Sequence, residues 1–427
     1  MRSEQAKKEL AEGKYNGRLA RVYGCAVEAA GGKALRLARA VERFEALYGA
    51  GREIAVFSAP GRTEVGGNHT DHQGGRVLAA GVDLDAVAVA ARTDDGRVRV
   101  KSEGFPEDAV DAGDYEKRPG ERNTSKALVR GVCAAFAARG RAAGGFCAYT
   151  QSEVLPGSGL SSSAAFEVLL GTAVNGLFCG GEVPPLAVAQ IGRYAENEYF
   201  GKPCGLMDQA ASAVGGFCLL DFSGEEPKAE KIPFDFSRCG YRMCMIDTKG
   251  SHADLTPDYA AIPAEMRRAA ACFGKKVLSQ VEEGEFYARL PEVRAAAGDR
   301  AALRAVHFFG DNARVLRQAK ALKKGDFTAF LRLVVESGRS SFMYLQNVYS
   351  PSHVEEQGVA VGLALCERLL APRGGAWRVH GGGFAGTVQA YVPDAFLGEF
   401  TRKIEAVFGE KSCRPLAVRP AGGVRIL

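Results

Sequence analysis

The sequence predicts an α+β chain of two halves behind an N-terminal helical extension. Three observations carry this reading. The chain has 427 residues, enough for two large domains or three small ones. The apolar period switches from helical to strand-like near Ile54. A second run of strands and helices then restarts at about residues 232–241. The expected division is residues 1–48 as the extension, 49–235 as the first domain and 236–427 as the second.

The elements follow in order. Ser3, Gln5, Ala6 and Leu10 suit a first helix, and residues 15–30 a second, closed by Gly31-Gly32. Leu35, Leu37, Val41, Phe44 and Leu47 fall near helical spacing and suggest a third. Residues 54–58 read as a short apolar strand ended by Pro60-Gly61. Further strands are expected over 77–91, 98–101 and 147–154, with helices over 123–138 and 161–178. In the second half, residues 241–247 read as a strand. Helices are expected over 267–280, 300–321, 327–337 and 354–370, and strands over 377–379 and 387–392.

Composition removes several classes. Hydrophobic residues are 46% and charged residues 25%, both globular values that exclude bulk disorder, coiled coil and collagen. Net charge is only +5, with no dense Lys/Arg block of the kind that tracks nucleic acid. The 11 Cys are scattered without a C-x-x-C pair. Neither a disulfide framework nor a zinc site is expected, and a reducing cytoplasm fits. No signal-peptide core opens the chain, and no apolar run approaches the ~20 residues that span a bilayer.

Glycine is the informative excess, at 53 residues against a usual share of about 7%. It concentrates in three clusters. The first is LPGSGLSSSAA over 155–165. Glycines let backbone approach a ligand closely, a helix N-terminus presents free N–H groups, and three serines add hydroxyls. Gly157, Ser158, Gly159, Leu160, Ser161, Ser162 and Ser163 therefore suit an anion cradle, most naturally for phosphate. The Lys of the common P-loop is missing, and a serine-capped turn is the ordinary alternative.

The second cluster is SAPGRTEVGGNHTDHQGG over 58–75, read as a polar loop between apolar strands. Arg62 suits a phosphate, while Asn68, His69 and Asp71 suit a polyhydroxyl ligand. His69, Asp71 and His72 also admit a metal site, and a plain surface loop stays open. The third cluster, VHGGGFAGTV over 379–388, implies tight backbone packing. Beside these lies CGLMDQ over 204–209, whose single carboxylate is Asp208.

In order and wording these clusters resemble the GHMP small-molecule kinases, galactokinases most closely, over about residues 45–395. That family carries A-P-G-R-x-N-x-I-G-E-H-x-D-Y-x-x-G, a phosphate motif ending G-L-S-S-S-A, C-G-x-M-D-Q and G-x-G-x-G-G. Here they stand at 59–75, 157–164, 204–209 and 381–386, with lesser echoes at Asp258-Tyr259 and Tyr349-Ser350-Pro351-Ser352. The resemblance implies a two-domain GHMP kinase fold with its active site in the interdomain cleft. It implies transfer of the γ-phosphoryl group of Mg-ATP to the anomeric hydroxyl of a sugar. It casts Asp208 as base or hydroxyl-orienting carboxylate, and Arg62 as stabiliser of the transferring phosphoryl. ATP would lie on residues 157–163, and Mg²⁺ on Ser162 and Glu196, with Glu198 as fallback. His69, Asp71 and Tyr259 would bind sugar hydroxyls.

Three departures stand out. Asn68 replaces the family's Glu, Glu64 its Asn, and His72 its Tyr. An amide donates as well as accepts, whereas a carboxylate only accepts, so the exchange at Asn68 is expected to touch the sugar pocket. The leading expectation is a galactose 1-kinase. A 1-kinase for an amino sugar, uronic acid or pentose, and a non-catalytic sugar sensor, remain as alternatives. The small sugar is the expected partner, with a monomer or small homo-oligomer and neither nucleic acid nor membrane.

Overall fold

The computed structural model describes residues 1–154, 159–250 and 255–427. Three helices come first, α1 (Ser3–Ala11), α2 (Asn16–Tyr23) and α3 (Gly31–Tyr48). Strands β1 (Ala55–Gly66), β2 (Arg76–Arg92), β3 (Arg97–Ser102) and β4 (Glu107–Asp111) follow. Then come α4 (Ser125–Ala137), β5 (Phe146–Ser152), α5 (Ser162–Phe178), α6 (Pro185–Tyr194) and α7 (Met207–Val214). Strands β6 (Phe217–Asp221) and β7 (Lys228–Ile232) complete the first half.

The second half opens with β8 (Tyr241–Asp247). Helices α8 (Thr256–Ala271), α9 (Glu283–Ala288), α10 (Leu290–Ala297), α11 (Asp299–Lys323), α12 (Phe327–Ser340) and α13 (Gly358–Leu370) follow. It ends with β9 (Ala376–His380), β10 (Thr387–Pro393), α14 (Leu397–Phe408), β11 (Cys413–Leu416) and β12 (Val424–Arg425).

The first sheet has the order β12-β1-β2-β5-β3-β4, with β6 on β2 and β7 on β6. Among the described residues, only β3 and β5 run parallel. Both faces are buried, and the period of two decides which side chain goes where. Val56, Val87, Val89, Cys147 and Tyr149 pack under α1–α3 with Leu37, Val41 and Phe44. Phe57, Ala88, Ala90, Phe146 and Ala148 pack on the other face against Leu128, Phe136, Leu169 and Val174 from the later helices. The N-terminal helices thus roof one face of this sheet, and β12, from the chain's far end, pairs with β1.

The second sheet has the order β11-β8-β10-β9 and is antiparallel throughout. Cys244, Trp377, Ala390 and Val392 face α13 and α14. Met243, Ala376 and Tyr391 face the opposite way, into a core shared with Val65, Leu78, Ala80 and Phe217 of the first half. Phe217 lies edge-on to Phe234, Phe236 and Phe330 there. Fully burying such a side chain is worth about 1.5–3 kcal/mol, so this core holds the two halves at a fixed cleft.

Several local expectations are corrected. β1 does not stop at Pro60-Gly61 but runs to Gly66, because a register shift at Pro60/Arg62 spares the missing proline N–H. Arg62 and Glu64 therefore sit on a strand, not a loop. Gly61 lets that bulge close on Leu160, whose carbonyl lies 3.1 Å from where a Cβ would be. Gly31-Gly32 opens α3 and does not close the preceding helix. α2 ends earlier, at Gly24, in the left-handed region. The helix expected over 267–280 is displaced to α8, with Pro257 in its first turn, where proline is tolerated.

Candidate active site

Four segments converge where the halves meet. The β1 bulge brings Arg62, α7 brings Asp208, the turn before α5 brings the serines, and the β9–β10 connection brings the glycines. Arg62 and Asp208 are 146 residues apart in sequence yet form a two-pronged pair, Nε to Oδ1 and Nη2 to Oδ2, each 2.6 Å. The third guanidinium nitrogen, Nη1, donates to the Gly159 carbonyl at 2.6 Å. Asp208 lies in the first turn of α7, where the helix dipole favours negative charge. Burial alone would raise its carboxyl. Arg62 and the Ser161 hydroxyl outweigh that and hold it below the ordinary value, so it stays ionised.

A cavity of about 310 Å³ opens beside this pair. Gly159, Ser161, Ser162 and Ser163 line one wall, and Gly381, Gly382, Gly383 and Gly386 the other. Ser161 adopts φ +58° at the start of α5, unusual for a non-glycine. Such strain recurs at ligand-binding turns. Gly157 and Ser158 lie outside the described residues.

A second cavity, about 970 Å³, adjoins the first and is lined by Asp71, His72, Gly205, Leu206 and Arg267 among others. Tyr259 and Lys202 line both. Burial pushes the Asp71 carboxyl up to about 6, with the Asp208 charge adding to the rise. The missing side chain of Gly205 leaves room for the Asp71 carboxylate. The Tyr259 hydroxyl donates to the Gly383 carbonyl at 3.0 Å.

His69 and Asn68 are placed differently. Neither lines these cavities. His69 Nε2 contacts the Gly382 carbonyl at 3.0 Å, and Nδ1 meets His72 Nε2 at 3.2 Å. The two rings engage each other, and burial holds both below the ordinary histidine value. Among the described residues, no group of three or more His, Cys, Asp or Glu could hold a metal ion. Asn68 is wholly buried. Its amide donates to Glu64 Oε1 at 3.0 Å and to the Gly381 carbonyl at 2.7 Å, and accepts from Asn347 at 2.8 Å. Two of the departures from the family pattern, Glu64 and Asn68, thus bond each other. Glu64 is also paired with the buried Arg378 at 2.6 Å.

Glu196 sits in a short π-helical turn, Ala195–Phe200, and is buried. It meets Lys202 Nζ at 3.3 Å and accepts from Gln209 at 2.9 Å. The same Gln209 nitrogen donates to Glu167 at 2.9 Å. The other Glu167 oxygen, Oε1, is buried without a hydrogen-bond partner. An unsatisfied carboxylate oxygen beside a second carboxylate suits a divalent cation.

Sequence reasoning passed over Lys202, Glu167, Asn347 and Asp311. Asp311 of α11 accepts from the backbone N–H of Gly67 and Asn68, both at 3.0 Å, and so fixes the turn. Lys202 had a signal, since it is the one lysine between Glu196 and Asp208.

A serine-rich turn feeding a helix, an arginine–carboxylate pair and a glycine loop facing them across a cleft define a GHMP-type small-molecule kinase. Residues 127–216 match the GHMP kinase N-terminal domain, and residues 42–92 the galactokinase galactose-binding signature. The chain is 33% identical to galactokinase of Streptomyces coelicolor, over 90% of this chain and 97% of that one. It is 31% identical to galactokinase of Actinobacillus pleuropneumoniae, over 87% and 93%. The structure of Lactococcus lactis galactokinase complexed with galactose superposes with a TM-score of 0.77 at 26% identity, covering 91% of this chain and all of that one. Methanococcus jannaschii mevalonate kinase shares the fold, with a TM-score of 0.60 at 14% identity. The chain belongs to the galactokinase family. It is an ATP-dependent sugar kinase.

Proposed function

We propose that this kinase converts D-galactose and ATP to α-D-galactose 1-phosphate and ADP. The observation that carries the reading is the Arg62–Asp208 pair lining the cavity beside the serine turn. Phosphoryl transfer requires positioning and charge stabilisation more than covalent chemistry. Asp208, kept ionised, orients the anomeric hydroxyl and accepts its proton. Arg62 fixes the Asp208 carboxylate and faces the developing charge. The phosphates lie on Gly159, Ser161, Ser162 and Ser163 at the N-terminus of α5, and the family motif assigns Gly157 and Ser158 to the same role. Asp71, with Tyr259, binds sugar hydroxyls. His69 acts behind them by holding the Gly382 carbonyl.

Ser162 and Glu196 would hold Mg²⁺, with the unsatisfied oxygen of Glu167 beside them. The ion, when bound, neutralises phosphate charge. Eleven unpaired cysteines support action in a reducing cytoplasm. Among the described residues, no helix is long and apolar enough to cross a membrane.

One observation favours a second reading, a 1-kinase for a related sugar. Asn68 spends its amide on protein partners and offers the substrate no carboxylate. ADP release from Mg-ATP, measured across galactose and its amino, uronic and pentose relatives, tests both. Efficient turnover of galactose is expected. Turnover of another sugar alone would establish the second reading, and silence across the panel would leave a sugar sensor.

A further inference from the structure

Arg62 commits three of its five N–H donors within the protein: Nε and Nη2 give one each to Asp208, and Nη1 gives one to the Gly159 carbonyl. Among the described residues lining the 310 Å³ cavity, the other Lys or Arg is Lys202. His380 adds no charge there, because burial keeps its imidazole well below the ordinary value.

Lys202 occupies a fixed place. Gly201, at φ +88°, ends the π-helical turn, and a Cβ there would meet the Arg122 guanidinium at 2.6 Å. Pro203 follows and holds Lys202 out of the helical region. The side chain reaches the passage between the two cavities and lines both. Its one ion-pair partner among the described residues is Glu196, at 3.3 Å, and 61% of the side chain is exposed. A long pair that leaves the ammonium open to the cavity keeps two of its three N–H donors for a ligand.

We propose that Lys202 is a substrate-contacting cation of this enzyme, presenting its ammonium to the γ-phosphoryl group where the phosphate cavity opens into the sugar cavity. The inference rests on the sugar-kinase reading. In the step it serves, the anomeric oxygen forms a bond to Pγ and its proton passes to Asp208. The bond from Pγ to the bridging oxygen breaks, and ADP leaves with that electron pair. Lys202 remains protonated throughout. Its charge meets the equatorial oxygens of the moving group, where a donor aimed at developing charge counts most. Arg62 keeps its two-pronged hold on Asp208 and shares the developing charge with Lys202.

The test uses the full chain and needs no sugar for its first half. Calorimetry compares ADP with the non-hydrolysable imido analogue of ATP, in the presence of Mg²⁺. Lys202→Met is expected to weaken the triphosphate about 10-fold and ADP less than about 2-fold, the loss of one charge-assisted contact to the terminal phosphate. Lys202→Arg is expected to retain most of the preference. In turnover with galactose, Lys202→Met is expected to lower kcat about 100-fold with the sugar KM within about 2-fold. Equal weakening of both nucleotides, or no change in either, overturns the proposal. Loss of turnover with the triphosphate preference intact also overturns it, leaving Lys202 a structural partner of Glu196. A wild-type chain that phosphorylates no sugar removes the functional reading instead, and the nucleotide comparison still decides Lys202.

Discussion

Asp208 and Arg62 depend on each other, and the dependence sets what a substitution should do. Asp208→Asn removes the proton acceptor and breaks one of the two prongs of the pair, because the amide nitrogen cannot accept from Arg62. It is expected to lower kcat about 10²–10⁴-fold while nucleotide affinity, followed by calorimetry, stays within about 2-fold. Near-normal turnover would take Asp208 out of the chemistry. Asp71 makes a separate expectation. Its carboxyl titrates at about 6 because burial disfavours its charge. A raised value means the ionised form is lost as pH falls through that point. The KM for the sugar is therefore expected to climb below about pH 6 with kcat little changed, and the climb should vanish in Asp71→Asn. A flat KM between pH 7 and 5 in the wild type would show that the ionised carboxylate is not what binds sugar. Both residues were legible in the sequence as motif positions. The resemblance already implied that Arg62 keeps Asp208 ionised; the two-pronged geometry across 146 residues needed the fold. Asn68 was legible as a departure. That its amide is consumed by Glu64 and Gly381 needed the fold.

Among elements, the β9–β10 connection shows best how local sequence serves the cleft. Its carbonyls are held by side chains from three other places: Gly381 by Asn68, Gly382 by His69 and Asn347, Gly383 by Tyr259. Gly383 has φ +82°, and a Cβ there would drive into the Asn347 carbonyl. Gly383→Ala is therefore expected to cost about 1–3 kcal/mol. It should lower turnover by shifting the loop away from Asp208, measured by urea denaturation and kinetics together. Wild-type values for both would show that the loop has slack. β1 teaches the complementary lesson. Pro60-Gly61 signals a stop in any local reading, yet pairing with β2 on both sides of the bulge carries the strand to Gly66. Cross-strand hydrogen bonds override the local turn signal, and that override places Arg62 on a rigid support.

At the scale of the molecule, one buried carboxylate ties distant parts of the chain together. Asp85 of β2 meets Arg36 from α3, Arg419 from the last segment, Tyr23 from α2 and Ser58 from β1. Burial opposes its charge, but Arg36 and Arg419 overcome this and hold the carboxyl at about 2. A depressed value contributes stability that is present above the unfolded-state value near 4 and is lost as pH falls towards 2. Asp85→Asn leaves the buried Arg419 guanidinium without a carboxylate and Arg36 with Glu153 alone, and is expected to cost about 3–5 kcal/mol at pH 7. The variant should also show a shallower loss of stability between pH 4 and 2 than the wild type. An unchanged urea midpoint would mean that the roof of N-terminal helices does not depend on this link. The sequence by itself determined the two-half α+β organisation, most element types and the motif order that marks the family, because periodicity and glycine spacing are local properties. Only the tertiary structure decided that residues 1–48 roof the first sheet, that the chain's end returns to β1, and which motif residues face the cavities. Those outcomes depend on contacts between residues tens to hundreds of positions apart, where burial on one face or another, and not local preference, selects the partner.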